Sequence, residues 1–359
     1  MKPLRLIPAN DTFRALSSCI EMLDGKIALF ITEPELNGLM PEVNGLPNEV
    51  PSDVALIVES SGSTGTPKRI ELSEAALRAS AQASAERLGG QGQWLLALPT
   101  KFIAGINVLI RSVIADTQPV IMNTQLPFTA DAFFRAASLM TESKRFTSLV
   151  PAQLARLLDA VKTDSYSLSL LRRFDAILVG GQMPDESVVE QLRELGVNIV
   201  ISYGMSETSG GCAYDSVPLS GVSVNIRDGR IAISGAVLAN GLPEEFLTSD
   251  LGEMHDGKLY VTGRADRVII SGGHKVSLEA IEARASEIAG VKEVAAAAIA
   301  TSWGESVGLV YVGEPAVDFG VLEELSVAAK PHRVLLVPEL PRLVSGKADL
   351  MAIAKLLSE

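Results

Sequence analysis

Cysteine is nearly absent from these 359 residues: Cys19 and Cys212 stand far apart, form no metal-binding spacing and give no basis for a disulfide framework. Basic residues are outnumbered, 31 against 43 acidic, and the net charge of −12 argues against nucleic acid as the main partner. No apolar run reaches the roughly 18 residues of a membrane span, and the first ten residues, with Lys2 and Arg5, lead into no signal-peptide core. Internal repeats and low-complexity tails are missing as well. Histidine is scarce, and none of His255, His274 and His332 has an evident pairing with Cys212, which therefore reads as a small core or pocket residue. These absences leave the expectation of a cytoplasmic globular chain with reduced thiols and no membrane span. Its length and 47% hydrophobic content allow two domains and at least one large core, and a homodimer is a compatible assembly.

What is present is a regular alternation of elements. Helical periodicity over 12–23 and an apolar run over 27–31 precede a loop at 33–51 rich in Pro, Asn, Gly and Glu. The run 54–58 reads as a buried strand, 73–88 as a helix stopped by Gly89, 94–98 as a strand, and 103–115 as containing a helix. Strands at 120–122, 147–150, 176–179 and 199–202 then alternate with helices at 130–143, 151–161 and 184–195. Such alternation predicts an α/β protein with a mainly parallel sheet covered by helices on both faces. Past Tyr203, the dipeptides Asp228-Gly229 and Asp256-Gly257 predict antiparallel hairpins in a small β subdomain. From Val268 the reading is strand, helix with Ser277 as cap, strand, strand, helix, strand and a last helix from Ala348. The boundary falls at 263–267, giving a large N-terminal domain over 1–265 and a small mobile α+β C-terminal domain over 266–359.

Residues 60–68 hold the densest chemistry. Gly62 and Gly65 free backbone N–H groups to turn toward phosphate oxygens, Ser61, Ser63, Thr64 and Thr66 add hydroxyl donors, and Lys68 adds a full positive charge. This is not the G-x-x-x-x-G-K-[ST] loop, because Thr66 and Pro67 separate Gly65 from Lys68 and no Ser or Thr follows. A Ser/Gly-rich linker has a similar composition, but linkers rarely follow a strand and end in Pro-Lys.

Four further stretches have chemistry to offer, each beside a plain alternative. Residues 203–208 follow a predicted parallel strand, where doubly wound sheets bind ligands. Tyr203 can stack on a purine, Ser206 can donate to a phosphate and Glu207 can hold Mg2+; the alternative is an ordinary turn with an exposed glutamate. Asp250 can accept from two vicinal ribose hydroxyls, although the stretch 248–252 also suits a surface turn. Arg264 is a candidate donor to an anion or hydroxyl, and Gly272-Gly273 permit close approach of a ligand, while a charged interdomain linker describes the same run. Lys347 lies on a turn shortly before the last helix, where most lysines are merely solvated.

Taken in order, these five stretches resemble the adenylate-forming enzymes of the acyl-CoA synthetase superfamily. The resemblance implies that Ser61, Gly62, Ser63, Thr64, Gly65, Thr66 and Lys68 cradle the phosphates of ATP. It also implies that Gly180, Gly181 and Gln182 lie along the adenine. The signature containing Tyr203, Gly204, Met205, Ser206 and Glu207 is expected to bring the stacking ring, the phosphate donor and the Mg2+ ligand. Asp250 and Arg264 are then the ribose contacts, Asp266 the hinge, and Gly272 and Gly273 the border of the pantetheine tunnel for coenzyme A. Lys347 is the implied catalytic lysine, bridging the substrate carboxylate and the α-phosphate. Such an enzyme forces one anion onto another, which is why Mg2+ and the cations Lys68 and Lys347 are needed together.

Within that superfamily two local stretches resemble the compact actinobacterial o-succinylbenzoate-CoA ligases of menaquinone synthesis. They are Ile103-Ala104-Gly105 followed by Val108 to Ser112, and Glu207 to Asp215 followed by Val217-Pro218-Leu219. The short chain agrees, with its phosphate loop starting already at residue 60 and much of the usual N-terminal subdomain expected to be missing. One departure is Lys101-Phe102 where a histidine pair is expected; Lys101 either meets a second carboxylate of a dicarboxylic substrate or points to solvent. Ser209, Gly210 and Gly211, directly after Glu207, are acyl-pocket candidates. The alternatives are a ligase or adenylating enzyme for another carboxylic acid, and a non-catalytic nucleotide-binding relative.

Overall fold

The computed structural model describes residues 1–60, 68–301, 304–343 and 348–359. The chain falls into two compact units, one of residues Met1–Val224, Ile233–Phe246 and Asp256–Leu259, the other of Asn225–Ala232, Leu247–His255 and Tyr260–Glu359.

The first unit contains two sheets, each contiguous in the chain. β1 (Lys2–Pro8), β2 (Ala28–Thr32), β3 (Glu49–Val50), β4 (Val54–Ser60) and β5 (Lys68–Ser73) form one, in the order β3-β1-β2-β4-β5. Its middle is parallel and its two edges antiparallel. The second sheet has the order β12-β11-β10-β9-β8-β6-β7, from β6 (Gln93–Leu96), β7 (Val120–Ile121), β8 (Arg145–Leu149), β9 (Ala176–Gly180), β10 (Ile199–Met205), β11 (Gly210–Tyr214) and β12 (Val217–Pro218). It is parallel from β7 to β10 and antiparallel beyond. The predicted alternation therefore resolves into two sheets. β1, β3, β5, β11 and β12 lie where the sequence reading has no strand. β1 is masked by Lys2 and Arg5, and β5 by the loop before it, although Ile70 and Leu72 alternate inward with period 2.

Helices α1 (Thr12–Leu23), α2 (Glu74–Arg87), α3 (Ile103–Ile114), α4 (Ala130–Ser138), α5 (Pro151–Val161), α6 (Ser165–Leu171) and α7 (Glu186–Glu194) accompany these sheets. Side chains of Asp11, Ser73, Thr129, Asp164 and Asp185 accept backbone N–H bonds at their starts, and Pro151 opens α5 where no N–H partner is needed. One core gathers Phe133, Leu149, Leu154, Leu157, Phe174, Ile177, Val179 and Leu192 from α4, α5, α7 and the strands they cover. α4 stops at Ser138, short of the predicted 143, and α6 was not foreseen.

β13 (Val222–Arg227), β14 (Arg230–Gly235), β15 (Glu245–His255) and β16 (Lys258–Arg264) make a third sheet in sequence order. Both predicted hairpin dipeptides have positive φ at their two residues, 51° and 77° at Asp228-Gly229 and 50° and 74° at Asp256-Gly257, as a tight hairpin turn requires. Each of these strands has residues in both units.

The last sheet of the second unit contains β17 (Val268–Ser271), β18 (His274–Ser277), β19 (Val291–Thr301) and β20 (Gly304–Gly313) in the order β18-β17-β20-β19, with β21 (Arg333–Leu336) also on β20. α8 (Leu278–Ser286) packs on one core with Ile281, Leu309 and Tyr311; α9 (Leu350–Ser358) packs on another with Ile299, Val310 and Leu357. The helix predicted between β20 and β21 is instead two 3-10 segments, Gly320–Glu324 and Val327–Ala329. There the Asp318 side chain accepts from Gly320 N and the Ser326 side chain from Ala328 N, turning the chain locally. No helix among the described residues is long and apolar enough to cross a membrane.

Candidate active site

Ligands of doubly wound sheets bind at the carboxyl ends of parallel strands, and β9 and β10 end side by side. Gly180, the last residue of β9, lies opposite Ser202, and a Cβ there would sit 2.8 Å from the Ser202 carbonyl oxygen. Gly181 has φ 86°, and with Gln182 it is exposed beyond the strand. β10 carries Tyr203, Gly204 and Met205 to its end, with a register shift between Tyr203 and Gly204. Gly204 must be glycine, because a Cβ would fall 2.0 Å from the Gly210 carbonyl oxygen on β11.

Ser206, Glu207 and Thr208 follow as one 3-10 turn. Thr208 Oγ1 accepts the Met205 N–H at 3.1 Å and donates to the Gly210 carbonyl at 2.7 Å, and the Glu207 carbonyl accepts Ala239 N–H at 2.9 Å. The turn is thus fixed by main-chain bonds, leaving the Glu207 carboxylate for other work. Its side chain is only 16% exposed, so the exposed-glutamate reading is corrected, and Oε1 lies 4.0 Å from Lys68 Nζ. Among the described residues no three His, Cys, Asp or Glu side chains converge as a metal cage. A single carboxylate is what Mg2+ takes when phosphates and water supply its other ligands. Ser61 to Thr66 and Lys347 lie outside the described residues.

Ser209, Gly210 and Gly211 come out differently from the expectation of an open acyl pocket. Ser209, at φ 54°, is fully buried and donates its hydroxyl to the Val237 carbonyl at 2.8 Å. Its own carbonyl accepts from Ser80 Oγ at 3.1 Å and Asn107 Nδ2 at 2.9 Å, so Ser209 is committed to the scaffold. A Cβ on Gly210 would meet Asn107 Nδ2 at 2.4 Å, and one on Gly211 would meet Ser202 Oγ and Tyr214 Cε1 at 2.6 Å. These glycines are needed for close packing of β11. Cys212 is fully buried.

Lys101 is held by a carboxylate of its own chain. Its ammonium bonds both carboxylate oxygens of Glu33, at 2.7 and 2.9 Å, lies 5.0 Å from the Phe102 ring centre, and its side chain is 14% exposed. The partner the structure gives Lys101 is Glu33, which no local sequence pattern singles out, and the solvent-pointing reading is corrected. The residue that was passed over is Arg111. Spacing of four along α3 puts Ile103, Asn107 and Arg111 on one face. Arg111 Nη2 donates to the Tyr214 hydroxyl at 3.2 Å, and its guanidinium carbon stands 4.8 Å from the Trp94 ring centre. Arg111 is 5% exposed and has no carboxylate partner among the described residues. The Tyr214 hydroxyl also pairs with Ser84 Oγ at 2.8 Å. Ser80 and Ser84, buried on an Ala-rich helix at the same spacing, were the signal that could have exposed this face.

In the second unit the stretch around Asp250 is strand β15, which corrects the surface-turn alternative. Thr248 Oγ1 accepts Asp250 N–H at 3.0 Å and orients the backbone there. Arg264 Nη1 donates to Asp250 Oδ1 at 3.1 Å, while Nε and Nη2 donate to the two oxygens of Asp266 at 2.8 and 2.6 Å. The Asp266 hydrogen bond, ahead of its charge, pushes the Arg264 pKa up, and the same bond holds the Asp266 carboxyl below the ordinary range. Gly272 and Gly273 form the β17–β18 turn at φ 55° and 82°, with nothing within 4 Å of a Cβ on either.

Parallel-strand ends with a mostly buried carboxylate 4.0 Å from a lysine make this an α/β protein with a polar ligand site at the strand ends. A family model described as AMP-binding enzyme matches residues 15–239, and the chain belongs to that family. Among its relatives, the probable 2-succinylbenzoate–CoA ligase of Mycobacterium tuberculosis is 36% identical over 379 residues, covering 99% of this chain and 98% of the relative. Among solved structures, O-succinylbenzoate coenzyme A synthetase from Bacillus subtilis in complex with ATP and magnesium ion superposes with a TM-score of 0.80 at 21% identity, over 99% of this chain and 89% of that one. ATP-bound MatB from Rhodopseudomonas palustris gives 0.82 at 18% identity over the same shares. These two likenesses speak for the fold alone.

Proposed function

We propose that this protein is an AMP-forming acid–thiol ligase that converts 2-succinylbenzoate, ATP and coenzyme A into 2-succinylbenzoyl-CoA through an acyl-adenylate, in the cytoplasm and in the service of menaquinone synthesis. The observation that carries the reading is the full-length kinship with the Mycobacterium tuberculosis ligase, over 99% of one chain and 98% of the other. The site residues follow the family resemblance. Residues Ser61 to Thr66 and Lys68 hold the phosphates, Tyr203 and Gly180 to Gln182 the adenine, Asp250 and Arg264 the ribose. Glu207 with phosphate oxygens would hold Mg2+, which supplies charge neutralisation when bound.

In the first half-reaction a carboxylate oxygen of the acid bonds to the α-phosphorus, and the bond to the pyrophosphate oxygen breaks. Lys68, Ser206 and Lys347 stabilise the negative charge gathered there. In the second, the coenzyme A sulfur attacks the acyl carbon and AMP leaves. The domain over 266–359 turns about Asp266 between the two steps, bringing Gly272 and Gly273 to the pantetheine and withdrawing Lys347. Arg111 replaces Lys101 as the proposed partner of the second carboxylate, since it is the buried guanidinium on the α3 face next to β11 and Lys101 already has Glu33.

A second reading is the same reaction with another acid, because one fold serves many substrates and the acid is chosen by the site. Pyrophosphate release over a panel of carboxylic acids, with and without coenzyme A, tests both. Activity confined to 2-succinylbenzoate supports the first; preference for another acid sinks it. ATP binding without pyrophosphate release from any acid would favour a non-catalytic relative. Lys347→Ala is expected to lose adenylation by on the order of 10² to 10³ while largely sparing thioester formation from supplied acyl-adenylate.

A further inference from the structure

Asp266 is held unlike its neighbours. On one side Gly263 has φ 142°, a backbone conformation that side chains rarely adopt, and Glu279 Oε2 lies 2.6 Å from where a Cβ would stand. On the other, Arg267 is 9% exposed and tied down by Glu282 at 2.5 Å and the Ala296 carbonyl at 3.3 Å. Between these two fixed points the Asp266 carboxylate has the two-pronged Arg264 guanidinium as its anchor, at 2.8 and 2.6 Å.

That same guanidinium is already turned toward Asp250 at 3.1 Å. A ribose with two vicinal hydroxyls donates both to Asp250 and accepts from Arg264 through its oxygens. Asp250 is mostly buried, with 13% of its side chain exposed, whereas Arg264 is 41% exposed and Asp266 32%. Of the two carboxylates on Arg264, Asp266 is the one with room to let go. A planar fork that swings toward a ribose oxygen lengthens at least one of its bonds to Asp266.

We propose that Asp266 competes with the nucleotide ribose for Arg264, so that nucleotide binding loosens the grip on the pivot and that grip weakens nucleotide binding by the same factor. Reciprocity follows from linkage between two equilibria that share one group. Asp266 is thereby a positioning residue that tunes nucleotide affinity without touching the nucleotide. This rests on the proposed reading of Asp250 and Arg264 as the ribose pair.

The test is AMP affinity, by titration calorimetry at fixed salt, for wild type, Asp266→Asn and Asp266→Ala. Competition predicts that AMP binds both variants about two- to fivefold tighter, the range for a partly exposed ion pair. Hydrogen exchange supplies the second arm. In wild type AMP should speed exchange of the amides at 264–268, and in Asp266→Asn exchange should be fast with or without AMP. Unchanged or weaker AMP affinity in folded variants overturns the proposal, as does wild-type exchange that ignores AMP. If wild type binds no AMP at all, the nucleotide reading itself falls; tight wild-type binding with indifferent variants removes the competition alone.

Discussion

The two units hold their polar residues by different means. Around β11 in the first unit, Ser80, Ser84, Asn107 and Ser209 make neutral, buried hydrogen bonds at 2.8–3.1 Å, ending on carbonyl groups and on the Tyr214 hydroxyl. Around Asp266 in the second, Arg264, itself 41% exposed, pairs with Asp250 and with the partly exposed Asp266, while Arg267 and Glu282 form a mostly buried pair. Neutral buried bonds offer nothing to an incoming anion and are costly to leave unmade, so they suit a scaffold. Exposed ion pairs contribute little net stability and exchange partners readily, so they suit a part that must move or receive a ligand. Arg111 breaks the pattern of the first unit, a cation set among neutral donors.

Replacing that exception is expected to have the largest effect. Arg111→Ala removes a charge-assisted hydrogen bond, worth about 1.5–3 kcal/mol, and should raise KM for 2-succinylbenzoate by roughly ten- to a hundredfold. An acid lacking the second carboxylate should lose no more than about threefold in the same variant. Lys101→Ala, which removes a surface-type pair with Glu33, should change KM less than about fivefold. Steady-state kinetics over the two acids read all three. A Lys101 effect larger than that of Arg111 would reverse the assignment.

Asn107→Ala sharpens the same contrast from the scaffold side. It leaves the buried Ser209 carbonyl with Ser80 alone and should cost about 1–2 kcal/mol of stability by urea unfolding. The Arg264→Ala change in the second unit should cost less than about 1 kcal/mol in the same measurement while weakening nucleotide binding.

The legibility of this chain in its sequence divides along similar lines. Parallel strands β8, β9 and β10 and their covering helices were visible because buried strands and amphipathic helices have periods that local sequence shows. The hairpins at Asp228 and Asp256 were visible because positive φ demands particular residues. Tyr203, Glu207 and Arg264 are candidates because each is a distinctive side chain in a fixed local order, and the structure puts Tyr203 on β10, Glu207 4.0 Å from Lys68 and Arg264 on Asp250. What escaped depends on partners far away in sequence. Glu33 meets Lys101 across 68 positions, Ser84 meets Tyr214 across 130, and Ser209 spends its hydroxyl on Val237. No local pattern encodes such pairings, and the serine at 209 looks the same in sequence whether it faces substrate or core.

The smallest expected effects separate the units by pH. In the first unit burial alone pushes the Cys19 thiol up to about 12 from its ordinary 9.0. A thiol whose folded pKa is raised stabilises the fold fully below the unfolded value, and that contribution is lost as pH rises from 9.0 toward 12. In the second unit Arg264 holds the Asp266 carboxyl below its ordinary 3.8. A depressed carboxyl contributes stability above the unfolded value, and loses it as pH falls below 3.8 toward the folded one. The melting-temperature difference between wild type and Cys19→Ala should therefore shrink on the alkaline side only. The difference between wild type and Asp266→Asn should shrink on the acid side only. Native Cys19 should also resist alkylation at pH 9 until urea is added, because the thiolate that reacts is not formed while the side chain is buried. If both differences shifted at the same end of the pH range, the distinction between a buried neutral scaffold and an exchangeable ionic pivot would not describe this molecule.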